Sequence, residues 1–243
     1  LADELEGAVF DALRRAHDVR AVAQDRARLG PHAAHRDHRH RRHDETRAGE
    51  ICVKRLLAGE RGHYGPLEHA QIVLNVGWFP HSVMQQARTH RVGVSFDVQS
   101  MRYTGDRICR AANGELDLEE VFYLRPVGQY SDRQGKKYSY TAEQRGEDLE
   151  LCRRAAERYR DMLTAGFAEE HARGILPFDY RQHFVVSFSL RAFLHFMDLR
   201  AKLDAQEEIR LLCDLMWPHF QQWAPQFAEW YEKTRLHRAR LAP

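Results

Sequence analysis

Apolar residues follow two spacings along the chain. From Ala70 to Phe79 they run almost unbroken through Ile72, Val73, Leu74, Val76 and Trp78, the β-branched and aromatic set that suits a buried strand. Phe184 to Phe188 (FVVSF) and Glu120 to Leu124 (EVFYL) carry the same signature over shorter lengths. Elsewhere the spacing is helical. Asp148 to Ala165 sets Leu149, Cys152, Ala156, Tyr159 and Leu163 on one face, and Leu190 to Leu199 sets Phe193 and Met197 together. Asp204 followed by Glu207 reads as a capping-box-like start to a helix through Ile209, Leu212, Cys213 and Met216. Pro80 suits the first position of a helix running through Val83, Met84 and Ala87 toward His90, after which a polar loop with Gly93, Gly105 and Gly114 is expected. Few strands among several helices, without strict β–α–β alternation, predict an α+β fold.

One stretch has no apolar face. Between Pro31 and Glu45, His32, His35, His38, His40 and His43 alternate with Arg36, Arg39, Arg41 and Arg42. It follows Leu5 to Ala16, where the apolar spacing is weakly helical. Residues 1–45 are therefore expected to be a weak helix followed by a disordered arm, and residues 46–243 a single domain. Imidazole and guanidinium suit a transition metal or a phosphate backbone, but a solvated, titratable arm accounts for the run without either. Leu1 in place of methionine is read as a missing or altered start.

Composition narrows the class. In 243 residues, Lys plus Arg total 37 against 35 Asp plus Glu, a formal net charge of +2 that names no partner and counts against a nucleic-acid-binding module. At 43% hydrophobic and 30% charged, the chain is neither wholly disordered nor an integral membrane protein. No apolar run approaches the ~18 residues of a spanning helix, and the start lacks a signal-peptide pattern, so a cytoplasmic location is expected. Cys52, Cys109, Cys152 and Cys213 are scattered, which argues against a disulfide framework or a cysteine zinc site.

The densest polar segment is QARTHRVGVSFDVQSMRY, from Gln86 to Tyr103. Arg88, His90, Arg91 and Arg102 form a donor set for phosphate or a delocalised anion, although a solvated basic loop offsetting a helix C-terminus needs no ligand. A second concentration comprises Arg173, Arg191, His195 and Arg200. Arg191 and His195 share a helix face and are flanked by Phe193, Leu194, Phe196 and Met197, a setting in which an arginine stem leads to a specific anion or stacked ring. His63, His69, His81 and His90 match no compact metal motif, so no metal is expected. The G-x-G-x-x-G fingerprint is absent.

Three blocks in order carry a resemblance: GHYGPLEH (Gly62 to His69), RTHRVGVSFDVQSMRY (Arg88 to Tyr103), and the region from ARGILPFDY to LRAFLHFMDLRAKLDAQEEIR (Ala172 to Arg210). Together they closely resemble the flavin-dependent thymidylate synthases, the ThyX family, over roughly residues 50 to 235. The middle block is similar to that family's RHR-x-x-S-x-N-x-x-S-x-R signature. Here Arg88-Thr89-His90-Arg91 carries one insertion, a second insertion precedes Ser95, Asp97 replaces the asparagine, and Ser189 stands where an asparagine commonly helps hold the flavin. The apolar strand with which the family begins has no counterpart in the first 45 residues.

The resemblance implies a ThyX-like fold, with a central, mostly antiparallel sheet flanked by helices and a helical C-terminal part, and makes residues 46–243 the catalytic domain. It implies reductive methylation of dUMP to dTMP, with methylenetetrahydrofolate as carbon donor and NADPH as reductant through bound FAD, in a homotetramer with shared active sites. It places Arg88, His90, Arg91, Ser189, Leu190, Arg191 and His195 at the flavin. Gln86, Gln99, Ser100, Met101, Arg102, Arg173 and Arg200 fall to dUMP, with Arg200 also in the catalytic role. Two alternatives stand beside this: a basic nucleic-acid-binding module, and a degenerate nucleotide-binding homologue with weak flavin affinity.

Overall fold

The computed structural model describes residues 18–21, 45–57, 64–132 and 134–237. The expected helix at Leu5 to Ala16, the His/Arg run from His32 to His43, and His63 lie outside the described residues. Strand β1 is Asp18–Ala21, where no strand was expected; two apolar positions in DVRA are too few to register as a pattern. Helix α1 (Glu45–Cys52) continues into a π-helical turn, Val53–Leu57, and a 3-10 turn, Gly65–Glu68, leads into β2 (Gln71–Pro80). Pro80 is the N-cap of α2 (His81–Ala87), as its fixed φ allows.

The expected polar loop is instead three short elements: β3 (Val94–Val98), α3 (Met101–Thr104) and α4 (Asp106–Ala112). Half-buried Val94, Phe96 and Val98 alternate with exposed Ser95 and Asp97, the period of a one-sided strand. The EVFYL segment differs too. Leu118–Glu120 is a 3-10 turn capped by Asp117, and Phe122 makes only an isolated bridge to Tyr180. Val121, Phe122 and Tyr123 are buried in succession, so they fill a core rather than alternate across a sheet.

Strands β4 (Gly128–Ser131) and β5 (Lys137–Tyr140) form an antiparallel hairpin with Gly128 opposite Tyr140. Helix α5 (Ala142–Thr164) starts earlier than its apolar stripe because Thr141 and Gln144 form a reciprocal capping box. Then come α6 (Glu169–Ala172), a 3-10 turn Arg173–Ile175, β6 (Arg181–Ser189), α7 (Leu190–Arg200), α8 (Glu207–Trp223) and α9 (Pro225–Thr234). The N-cap of α8 is Gln206, whose side chain makes no capping bond and instead donates to Glu208 at 2.7 Å, so Asp204 is not the cap. The larger sheet has the order β1-β2-β6-β3, and the fold is α+β, as expected. No helix among the described residues is long and apolar enough to cross a membrane.

The chain divides into two compact units, each gathered from separate stretches. One holds Val76–Thr89 and Phe96–Val185. Its core joins Met101, Ile108, Ala111, Val121, Phe122, Cys152, Ala156, Tyr159, Met162 and Ala172. Gly105 lies so close to the Tyr159 hydroxyl that no side chain fits there. The other holds His90–Ser95 and the described parts of Val19–Asn75 and Val186–Pro243. Its centre is aromatic, with Phe193 packed edge-on to Phe188 and tilted against Phe220 at 4.7 Å; each such ring contributes about 1.5–3 kcal/mol by burial. Within it, Tyr231 donates to buried Asp198 at 2.9 Å, and Arg235 pairs with the same carboxylate at 3.0 Å.

Candidate functional site

Helix α7 carries four of the expected residues, and its start is fixed by a close approach. Ser189 caps the helix by accepting from the Ala192 N–H at 3.3 Å, while its own N–H donates to the Gly93 carbonyl at 2.8 Å. Gly93 has φ +69°, and a Cβ there would stand 2.5 Å from Ser189 Oγ, so the loop reaches the helix only as glycine. The Ser189 hydroxyl thus serves the helix end. Leu190 is buried and donates its N–H to the Ala70 carbonyl at 2.8 Å.

Arg191 points to the first sequence block. Its Nη1 lies 2.7 Å from Glu68 Oε1, and its guanidinium stands over the Tyr64 ring at 5.6 Å. One turn on, the His195 ring meets His90 edge-on at 5.5 Å, and Phe196 packs on His90 at 4.9 Å. At the end of α7, Arg200 donates from Nε to His90 Nε2 at 3.0 Å. Because a guanidinium only donates, Nε2 must be the unprotonated ring nitrogen. Burial first, then the charges of Arg200 and His195, lower the His90 pKa to about 4, so the ring is neutral at pH 7. Burial also lowers the pKa of Arg200, with the Cys213 thiol acting in the opposite direction. Arg91 is exposed on the same loop.

The remaining candidates lie in the other unit. The Gln86 carbonyl ends α2 by accepting from the Thr89 N–H at 3.2 Å and hydroxyl at 2.7 Å, and exposed Arg88 is the C-cap. Gln99 is held through its backbone: its N–H donates to the His183 carbonyl at 3.0 Å, and its carbonyl accepts from Gln182 Nε2 at 2.9 Å. Gln182 in turn accepts from His81 Nδ1 at 2.5 Å, and that imidazole stacks on Tyr180. Ser100 caps α3 by accepting from the Arg102 N–H at 3.3 Å, which leaves its O–H able to donate. The Met101 side chain is in the core, which leaves its backbone for any ligand. Arg102 lies 3.6 Å from Glu170 on α6, and exposed Arg173 follows three residues later in the 3-10 turn.

The structure therefore brings His90, His195 and Arg200 together, and joins Arg191 to Glu68 and Tyr64. It places the expected flavin residues other than Arg88 in one unit with Arg200, and the other expected nucleotide residues in the second unit with Arg88. Sequence reasoning missed the roles of Glu68, Tyr64, His81 and Gln182. The signal available for Gln182 was a polar pair, Arg181-Gln182, heading an apolar strand; both are buried. No group of three metal-ligating side chains occurs among the described residues.

The family model described as thymidylate synthase complementing protein matches residues 15–226. The chain belongs to this family. Similar members include the flavin-dependent thymidylate synthase of Halobacterium salinarum, 37% identical over 189 residues, covering 75% of this chain and 76% of the relative. That of Haloarcula marismortui is 36% identical over 202 residues, 80% of each chain. The family fold is also that of a solved UMP/dUMP methylase, PolB from Streptomyces cacaoi bound with 5-Br UMP: TM-score 0.63, 20% identity, 93% of this chain and 96% of that one.

Proposed function

We propose that the chain converts dUMP to dTMP by reductive methylation, with methylenetetrahydrofolate giving the carbon, NADPH the electrons, and bound FAD linking them. The observation that carries this reading is the Arg200–His90 hydrogen bond, which joins the second and third family blocks around one guanidinium. The family membership and the names of its relatives support it.

The donor set fits a flavin dinucleotide. Arg91 and Arg191 are exposed cations on adjoining elements of one unit, suited to a pyrophosphate, and neutral His90 with His195 adds imidazole edges. Arg88, His90, Arg91, Ser189, Leu190, Arg191 and His195 hold the group, with Ser189 contributing through the helix start that it caps. Bound there, the flavin supplies hydride chemistry that no side chain of this chain can perform.

Arg102 and Arg173 hold the nucleotide phosphate, while Gln86, Gln99, Ser100 and the Met101 backbone orient the nucleoside. Arg200 stabilises negative charge on the uracil as N3 ionises, which makes C5 electron-rich enough to attack the activated methylene. Residues 46–243 act as one catalytic domain, in a cytoplasmic homotetramer whose subunits share active sites, without membrane or nucleic-acid partners. Purified protein incubated with dUMP, methylenetetrahydrofolate, NADPH and FAD should form dTMP, measured by chromatography. Absence of dTMP with dUMP still bound would favour the degenerate nucleotide binder instead.

A further inference from the structure

We propose that His90 is a positioning residue for Arg200: its unprotonated Nε2 holds the guanidinium through Nε and fixes the plane in which the cation meets the pyrimidine. The inference rests on the proposed function, and deepens it by assigning to His90 a task other than contact with the flavin.

A guanidinium at the end of a flexible stem loses rotamer freedom when it is frozen against a flat base edge. A partner that orients it beforehand removes part of that cost from the binding step. An acceptor at Nε sits beside the stem, so it sets the plane while the Nη1–Nη2 end remains the part directed away from the stem. His90 meets this requirement at 3.0 Å. Its ring is itself held, edge-on to His195 and against Phe196, and it is buried.

The choice of imidazole matters. A carboxylate at this place would orient the arginine but cancel the charge that the reaction uses, whereas a neutral imidazole orients without neutralising. The ionisable groups from the surrounding elements conform to this. On α7, His195 adds to the pressure that keeps His90 neutral, and on α8 the buried Cys213 thiol facing Arg200 is pushed well above its ordinary range and stays protonated. Both of these groups facing Arg200 are therefore neutral, and neither cancels its charge.

The test is a double-mutant cycle read by dUMP binding to the flavin-loaded protein in calorimetry, with flavin fluorescence and thermal melting to confirm that each variant is folded. His90→Leu should weaken dUMP about tenfold or more, the scale of a lost hydrogen bond to a charged group. In the Arg200→Ala background the same change should add nothing, because His90 acts through Arg200. His90→Gln, which can offer an amide oxygen near the Nε2 position, should bind dUMP within about threefold of wild type. Additive losses, or a His90→Gln protein as impaired as His90→Leu, would overturn the inference and leave the proposed function standing. A folded wild-type protein that binds no dUMP would overturn both.

Discussion

Arg200 and His90 are 110 positions apart in the chain and are joined by one hydrogen bond, Nε to Nε2 at 3.0 Å. The bond is possible because α7 ends where the loop after α2 passes, and because Gly93, three residues beyond His90, lets that loop lie against the start of the same helix. Two of the three sequence blocks are thereby fixed to each other within one unit.

Arg200→Ala should leave a folded, flavin-binding protein whose dTMP formation is severely reduced. A drop of at least about 100-fold is expected if the cation stabilises developing charge on the base. Steady-state turnover alongside a melting curve separates loss of chemistry from loss of fold, and normal dTMP formation would remove Arg200 from the catalytic role.

His90 makes stability depend on pH with a defined sign. Its pKa falls from 6.5 to about 4 in the fold, so between those values the unfolded chain takes up a proton that the folded chain does not. The stability contributed by the neutral ring is thus present above about pH 6.5 and is lost as pH falls toward 4, by on the order of 3 kcal/mol. Urea unfolding across this window should show wild type losing stability relative to His90→Gln as the pH drops. A difference that does not change with pH would place the His90 pKa near its ordinary value.

The Tyr159 hydroxyl is buried without a hydrogen-bond partner among the described residues and abuts Gly105. Tyr159→Phe should therefore be neutral or stabilising by up to about 1 kcal/mol, since it removes an unsatisfied polar group. Gly105→Ala should destabilise by about 1–3 kcal/mol through overpacking. Melting temperatures of the two variants, moving in opposite directions, check both statements.

Asp198 has a fully buried side chain whose charge is met by Arg235 and by the Tyr231 hydroxyl. Arg235→Leu strands that carboxylate and should cost about 3 kcal/mol, measured by chemical denaturation. A loss below about 1 kcal/mol would mean that the pair behaves as a surface ion pair.

What the sequence discloses depends on how local the cause is. β2, β6, α7 and α8 are legible because continuous or periodic apolar residues are their own evidence. β3, α3 and α4 are not, because elements this short are held by distant partners such as the His183 carbonyl that receives the Gln99 N–H. The β4–β5 hairpin alternates, with Tyr130, Tyr138 and Tyr140 on one face, but four residues per strand are too short a run to register as a pattern. The two units escape a linear reading altogether, since each interleaves separate stretches. The candidate residues stand out in the sequence as three blocks, whereas Glu68 as the partner of Arg191, 123 positions away, depends on tertiary contact. Residue types alone left the basic loop open between an anion site and a solvated surface.

The most direct test of the proposed activity is the absorbance spectrum of the purified, FAD-supplied protein, followed anaerobically after NADPH is added with and without dUMP. Bound flavin that bleaches faster when dUMP is present is the predicted result, as a nucleotide-gated flavoenzyme requires. A protein that stays colourless after FAD is supplied, or whose bleaching ignores dUMP, would contradict the account.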